Sequence, residues 1–198
     1  MLSMYRRSRS VKVFFLAFLF IAAAFGGGDR VIGAERNPKW ASPLHLPPVE
    51  NFYQVAPGLY RSAQPSAEAF KELEKFGIVT VINLREKHSD APLIQNTGLR
   101  LIEVPTNTWE MGDNEVIAVL NLIKNEPRPI LVHCRHGADR TGLMMAVYRI
   151  IFEGWTREAA LEELRDGGYG YHRIWTNIPK YIERFDRDKI ERAVLGGD

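Results

Sequence analysis

The hydrophobic positions of this chain fall into short β-branched runs separated by longer amphipathic segments. Residues 78–84 (IVTVINL) predict a buried strand, because β-branched side chains in a nearly continuous apolar run suit the interior of a sheet. Residues 99–104 predict a second strand ending at Pro105, and residues 130–133 predict a third. These runs indicate a central sheet whose strands come from separate parts of the chain.

Amphipathic segments with helix-boundary residues lie between these runs. Ser66 is placed to cap a helix that runs to about Phe76 and ends at Gly77. Asp113 is placed to cap a second helix, over residues 115–124. Further helices are predicted for residues 141–152 and 156–165 and from about Pro179. Because strands alternate with helices, the predicted fold is a single α/β domain with a central, mostly parallel sheet flanked by helices.

Residues 1–34 predict a targeting segment rather than part of the fold. Four basic residues precede residue 13, residues 13–25 are uninterrupted apolar, and three glycines follow. This order is typical of a secretory signal peptide and predicts export to a periplasmic compartment. The alternative is an uncleaved inner-membrane anchor formed by residues 13–25, although a spanning helix needs about 20 apolar residues.

The remaining chain is long enough for one well-buried core and too short for two. Residues 35–51 carry four prolines and predict an extended lead-in without a core of its own. Residues 52–198 predict the globular domain.

Charge and cysteine content exclude several classes of protein. A net charge of +2, without a long basic stripe in the body of the chain, argues against nucleic-acid binding. A single cysteine excludes an intramolecular disulfide and any zinc site built from several cysteines. His45 and His172 show no metal-ligand spacing, so no metal and no cofactor are predicted. Nothing in the sequence predicts an oligomer.

The most informative segment is residues 130–142, ILVHCRHGADRTG. A buried strand leads into a short loop, and a helix begins immediately after it. Successive loop N–H groups and the positive end of the helix dipole then point into one small volume. An anion of phosphate size is the expected ligand.

The residue types in this loop suit attack on a phosphoryl group. Cys134 lies where these dipoles favour the thiolate, which is the nucleophilic form of cysteine. Arg140 offers a planar guanidinium that can hold two phosphoryl oxygens, and Gly137 allows close approach of the backbone to the ligand. Thr141 can donate its hydroxyl to the thiolate. The residues expected to bind the phosphate are Arg135, His136, Gly137, Ala138, Asp139, Arg140 and Thr141.

The pattern His133-Cys134-x5-Arg140-Thr141-Gly142 resembles the signature of the cysteine-dependent protein tyrosine and dual-specificity phosphatases. The resemblance covers residues 52–185 and includes the segments at 59–65 (LYRSAQP), 81–85 (VINLR), 148–149 (YR) and 154–155 (GW). With its N-terminal segment, the chain looks like the bacterial periplasmic dual-specificity-type tyrosine phosphatases. The resemblance implies a dual-specificity phosphatase-like fold, phosphotyrosine proteins as substrates, and a phosphocysteine intermediate on Cys134 without a metal.

The chain departs from that family at the general acid. The family supplies an aspartate from a loop that here reads PTNTWEMGD over residues 105–113, with no aspartate early in it. Glu110 is the first candidate for the proton donor and Asp113 the second, although Asp113 also suits a helix cap. Asp139, beside Arg140, is the third.

Three other functions fit parts of the pattern. An inositol-phosphate or phosphoinositide phosphatase is one, although such enzymes resemble one another in having lysine-rich loops and this loop has no lysine. A rhodanese-type sulfurtransferase also places a cysteine in an anion-binding loop, but the Arg-Thr-Gly that enters the helix favours a phosphatase. A non-catalytic phosphate-binding module would fit the missing acid.

Arg85, at the end of a predicted strand, is a further candidate for substrate contact.

Overall fold

A computed structural model describes residues 36–196, which form a six-stranded sheet packed between helices. The strands are β1 (Ser42–Pro43), β2 (Tyr53–Ala56), β3 (Leu59–Ser62), β4 (Thr80–Arg85), β5 (Arg100–Thr106) and β6 (Ile130–His133). Their order across the sheet is β1-β2-β3-β6-β4-β5. Strands β3, β6, β4 and β5 run parallel, whereas β2 is antiparallel to both β1 and β3. The predicted α/β fold with a mostly parallel sheet is confirmed.

Helices cover both faces of the sheet. They are α1 (Ala67–Phe76), α2 (Ala91–Ile94), α3 (Asp113–Asn125), α4 (Asp139–Phe152), α5 (Arg157–Asp166), α6 (Asn177–Arg184) and α7 (Arg187–Glu191), followed by a π-helical turn (Arg192–Gly196). Alternate residues of β6 separate the two cores: Leu131 packs with α1, whereas Ile130 and Val132 pack with α3 and α4. Because β6 is central and buried on both faces, its carboxyl end is held rigidly.

The boundaries of α1 confirm the sequence prediction. The Ser66 hydroxyl accepts a hydrogen bond of 3.1 Å from the amide of Ala69, and Gly77 ends the helix with a φ of 106°. Phe70 and Leu73 are buried against the sheet, whereas Phe76 is exposed. The cap at Ser66 and the stop at Gly77 thus lie where the sequence predicts them.

Two predicted boundaries are wrong. Strand β5 continues through Pro105 to Thr106, because β5 is an edge strand and a proline there breaks no required ladder bond. Gly112, not Asp113, is the N-cap of α3, and the Glu115 carboxylate accepts a hydrogen bond of 3.0 Å from its amide. Asp113 instead accepts a hydrogen bond from the hydroxyl of Tyr181, which explains why it does not cap the helix.

Residues 36–51, predicted as a lead-in without a core, are extended but are joined to the domain. Strand β1 pairs with β2, and the buried Ala41 donates its amide to Glu163 Oε1 at 2.7 Å. Asn51 donates its side-chain amide to the carbonyls of His136, at 2.7 Å, and Tyr169, at 2.9 Å. The segment therefore helps to hold the loop that follows β6.

The predicted signal peptide or anchor, residues 1–34, lies outside the described residues. Within residues 36–196, no helix combines the length and the apolar character required to cross a membrane.

Candidate active site

The loop between β6 and α4 brings together the residues that the sequence singled out. Cys134 follows the last residue of β6 and is 2% exposed, and α4 begins at Asp139. Arg140 is therefore the second residue of that helix, and Thr141, fully buried, is the third. The strand, loop and helix thus have the predicted arrangement, with the amino end of α4 directed at the loop.

Gly137 is required by two features of the loop. Its φ is 68°, which side chains other than glycine rarely adopt. An added Cβ would lie 2.5 Å from the carbonyl carbon of Ser62 and 2.7 Å from the amide nitrogen of Ala63. The glycine therefore lets the loop approach the end of β3, whereas the sequence predicted a close approach to the ligand.

Beneath the loop lies a buried guanidinium that the sequence did not single out. Arg61, on β3, is 1% exposed and donates a hydrogen bond of 2.6 Å to the carbonyl of Gly137. Its guanidinium carbon lies 3.7 Å from the centre of the Tyr169 ring. Burial lowers the pKa of Arg61, while Tyr169, Glu163 and Cys134 act in the opposite direction. The guanidinium thus fixes the loop backbone and adds positive charge close to the cysteine.

A buried carboxylate continues this network away from the loop. Glu163 accepts hydrogen bonds from the Tyr169 hydroxyl at 2.8 Å and from Arg149 Nε at 2.9 Å. Burial alone raises the pKa of Glu163, but its bonds to Arg149, the Ala41 amide and Tyr169 lower the pKa overall. Burial, with the neighbouring carboxylate, raises the pKa of Tyr169. This chain of contacts connects the loop after β6 to α4 and α5.

On the other side of the loop, His133 lies against a buried carboxyl group. Its Nε2 lies 2.7 Å from Asp90 Oδ2, and both side chains are fully buried. Gln64 donates to the second oxygen of Asp90 at 2.7 Å and accepts from Arg85 at 3.0 Å. The residue before the cysteine is therefore fixed through the ends of β3 and β4.

A pocket of about 470 Å³ opens at the carboxyl ends of the parallel strands. It is lined by Arg85, Glu86, Lys87, Thr106, Asn107, Thr108, Arg135, His136, Asp139, Arg140, His172, Ile174 and Trp175. Arg140 is held at this edge because its Nη1 donates to the carbonyls of Leu84, at 3.2 Å, and Thr106, at 3.3 Å. Two backbone contacts therefore fix the guanidinium before any ligand arrives, as preorganised anion binding requires.

The pocket is electropositive. Burial, together with the nearby charges of Arg140 and Arg135, lowers the pKa of Arg85. Burial, His172 and Arg135 also lower the pKa of His136 below its usual value of 6.5, so this imidazole is neutral at pH 7. Four cationic side chains line the pocket against two carboxylates, Glu86 and Asp139, so an entering anion meets a net positive charge.

The three candidates for the general acid lie in different surroundings. Glu110 is exposed, does not line the pocket, and accepts a hydrogen bond of 3.4 Å from Asn107. Asp113 is bound by Lys189 at 2.6 Å and by Tyr181 at 2.8 Å, contacts that lower its pKa. Asp139 lines the pocket and is nearly buried. Only the third candidate is therefore part of the pocket wall.

A cluster of possible metal ligands lies in the same wall. His136, Asp139 and His172 each offer an atom within 4.8 Å of the others, a proximity that their sequence spacing did not reveal. Arg135 and Arg140 also line this part of the pocket, so the local charge opposes a cation and favours an anion.

A central parallel sheet with a cysteine loop before a helix, and a fixed arginine at the helix start, defines the class of cysteine-dependent phosphatases. The model of the tyrosine phosphatase family matches residues 46–195. The chain belongs to this family, and it is a phosphatase of the tyrosine and dual-specificity type.

Individual relatives agree with this assignment. The dual specificity protein phosphatase TpbA of Pseudomonas aeruginosa is 35% identical over 167 residues, covering 83% of this chain and 75% of the relative. The crystal structure of a TpbA cysteine-to-serine variant in complex with phosphotyrosine matches with a TM-score of 0.74 and 34% identity, over 82% of this chain and 99% of that one. The catalytic core of the Saccharomyces cerevisiae PP-IP phosphatase SIW14, in complex with citrate, matches with a TM-score of 0.65 and 25% identity, over 75% and 93% of the chains.

Proposed function

We propose that this protein removes phosphate from phosphotyrosine residues of proteins through a phosphocysteine intermediate on Cys134. The geometry of the loop carries the proposal: Cys134 stands at the end of β6, the amino end of α4 points into the loop, and Arg140 is held by two backbone carbonyls. The similarity to TpbA, solved with phosphotyrosine, supports this substrate.

In the first step the thiolate of Cys134 attacks phosphorus and the bond to the tyrosyl oxygen breaks. The loop amides from Arg135 to Arg140 and the free edge of the Arg140 guanidinium stabilise the charge on the transferred phosphoryl oxygens. In the second step water attacks the phosphocysteine, releasing inorganic phosphate and regenerating the thiolate. The hydroxyl of Thr141 stabilises the departing sulfur.

The cellular location belongs to the same proposal. Residues 1–34 contain basic residues, then an apolar run, then small residues, and this order supports export to the periplasm. Inner-membrane anchoring by residues 13–25 is the alternative. Fractionation of cells that express the full chain, combined with the N-terminal sequence of the product, distinguishes the two. A membrane-bound product that retains Met1 would support the anchor.

Inositol phosphates remain a second candidate substrate because of two cationic side chains outside the loop. Arg85 and Lys87 line the same pocket as the loop arginines and can bind a second phosphate group. The similarity to SIW14 supports the same candidate. A higher kcat/KM for an inositol pyrophosphate than for phosphotyrosine peptides would place it first.

The test is steady-state hydrolysis of p-nitrophenyl phosphate and of a phosphotyrosine peptide, with reductant and a chelator present. We expect chelator-resistant activity that Cys134→Ser abolishes, while the variant still binds the phosphopeptide and retains the wild-type melting temperature. Persistent activity in Cys134→Ser would refute the thiolate mechanism. Phosphopeptide binding without turnover by the wild type would indicate a binding module instead.

A further inference from the structure

The pocket wall contains a histidine held by a buried carboxylate. His172 Nδ1 lies 2.9 Å from Asp139 Oδ2 and 3.2 Å from Oδ1, and the backbone amide of His172 donates to the same Oδ1 at 2.9 Å. Asp139 is the first residue of α4 and immediately precedes Arg140. The imidazole is therefore fixed against the start of the helix that carries the phosphate-binding arginine.

This arrangement determines which ring nitrogen of His172 can exchange a proton. The hydrogen bond to the carboxylate keeps a hydrogen on Nδ1. The protonated ring therefore gives up its other hydrogen from Nε2, and the neutral ring accepts a proton at the same atom. Within residues 36–196, no hydrogen bond engages Nε2, and about half of the side chain is exposed. The ring lines the pocket, with its centre 5.0 Å from that of His136.

We propose that His172, oriented by Asp139, is the proton donor to the leaving group, a role that rests on the phosphatase function proposed above. Of the two carboxylates on the segment that follows β5, Glu110 lies outside the pocket wall and Asp113 is bound by Lys189 and Tyr181. Both oxygens of Asp139 are within hydrogen-bond distance of His172. The histidine is thus the group through which the carboxylate acts on substrate.

The proton balance of the reaction is complete with this residue. As the thiolate forms the S–P bond, the P–O electron pair passes to the leaving oxygen, which takes the proton from His172 Nε2. The neutral ring, still donating Nδ1–H to Asp139, then accepts a proton from the attacking water. The S–P bond breaks, phosphate departs, and the imidazolium and the thiolate are restored.

Several charged groups lie around this histidine. Asp139 stabilises the imidazolium, as a buried carboxylate partner does for other catalytic histidines. Arg135 and Arg140 oppose it from the loop and α4, and the other charged pocket-lining residues are Arg85, Glu86 and Lys87. A bound phosphoryl dianion offsets the positive charge of the two loop arginines beside the ring.

The dependence of kcat/KM on the leaving group tests the proposal. We would measure a series of aryl and alkyl phosphates with leaving groups of increasing basicity, using the wild type and His172→Asn. Asparagine keeps an N–H donor near the position of Nδ1 and lacks Nε2. We expect the variant to lose roughly 100-fold or more for the most basic leaving group and less than about tenfold for p-nitrophenol.

Matched variants separate this role from a structural one. His45→Asn changes an exposed histidine outside the pocket and should leave the leaving-group dependence unchanged. Equal losses of kcat/KM for all substrates in His172→Asn would overturn the proposal. So would a kcat/KM that becomes more sensitive to the basicity of the leaving group in Glu110→Gln or Glu86→Gln and not in His172→Asn. If the wild type has no Cys134-dependent turnover at all, the proposed function fails first, and the two failures are distinguishable.

Discussion

Replacement of Gly137 by alanine tests whether the catalytic loop depends on its contact with β3. The new Cβ would lie 2.5 Å from the Ser62 carbonyl carbon, whereas ordinary Cβ contacts begin at 3.4 Å. The loop or the strand must therefore move by about 1 Å, a displacement that can cost an enzyme on the order of 100-fold in rate. A φ of 68° adds about 1–2 kcal/mol of backbone strain for alanine.

Gly154→Ala is the matched control for this substitution. Gly154 has a φ of 69°, yet a Cβ there would meet no atom within 4 Å, so the control carries the strain without the collision. We expect both variants to lose stability, measured by urea unfolding, and Gly137→Ala alone to lose about 100-fold in kcat/KM for p-nitrophenyl phosphate. Similar activities of the two variants would refute the reasoning.

Three further predictions concern the buried network behind the loop. Glu163→Gln leaves the Arg149 charge partly unpaired in the interior and should lower the free energy of unfolding by about 3–5 kcal/mol, whereas Glu72→Gln, at an exposed pair, should change it by less than about 1 kcal/mol. The pKa of Glu163 is lower in the folded protein than in the unfolded chain. The stabilisation by its carboxylate is therefore complete above the unfolded pKa and is lost as pH falls through the folded pKa. The free energies of unfolding of the wild type and Glu163→Gln, measured by urea titration, should converge in acid. Arg61→Met removes the bond to Gly137 and a charge near the thiolate, and should slow alkylation of the cysteine by iodoacetamide at pH 6.

Each of these predictions has an outcome that contradicts it. Equal destabilisation by Glu163→Gln and Glu72→Gln would show that burial does not determine how much a carboxylate contributes to the free energy of unfolding. A difference between wild type and Glu163→Gln that stays constant down to acid pH would contradict the lowered pKa. Unchanged alkylation at pH 6 in a folded Arg61→Met protein would show that the buried guanidinium does not act on Cys134.

The sequence alone determined the strand, loop and helix that carry Cys134 and Arg140. That segment could be predicted because its residues are contiguous: an apolar strand, a glycine-containing loop and a helix start define their own geometry within a few residues. The same holds for α1, whose cap and stop lie next to the residues they terminate. Local hydrogen bonding and periodicity are properties of short stretches of chain, so they can be recognised without knowledge of the fold.

The tertiary structure decided which distant residues complete the site. Arg61 lies 76 residues from Gly137, and His172 lies 33 residues from Asp139, so no spacing in the sequence could pair them. Their contacts exist because β3 is placed beside β6 and because the segment after α5 returns to the start of α4. Asp113 failed as a helix cap for the same reason, since its carboxylate is bound by Lys189, 76 residues away. Long-range contacts depend on strand order and packing, which are properties of the whole chain.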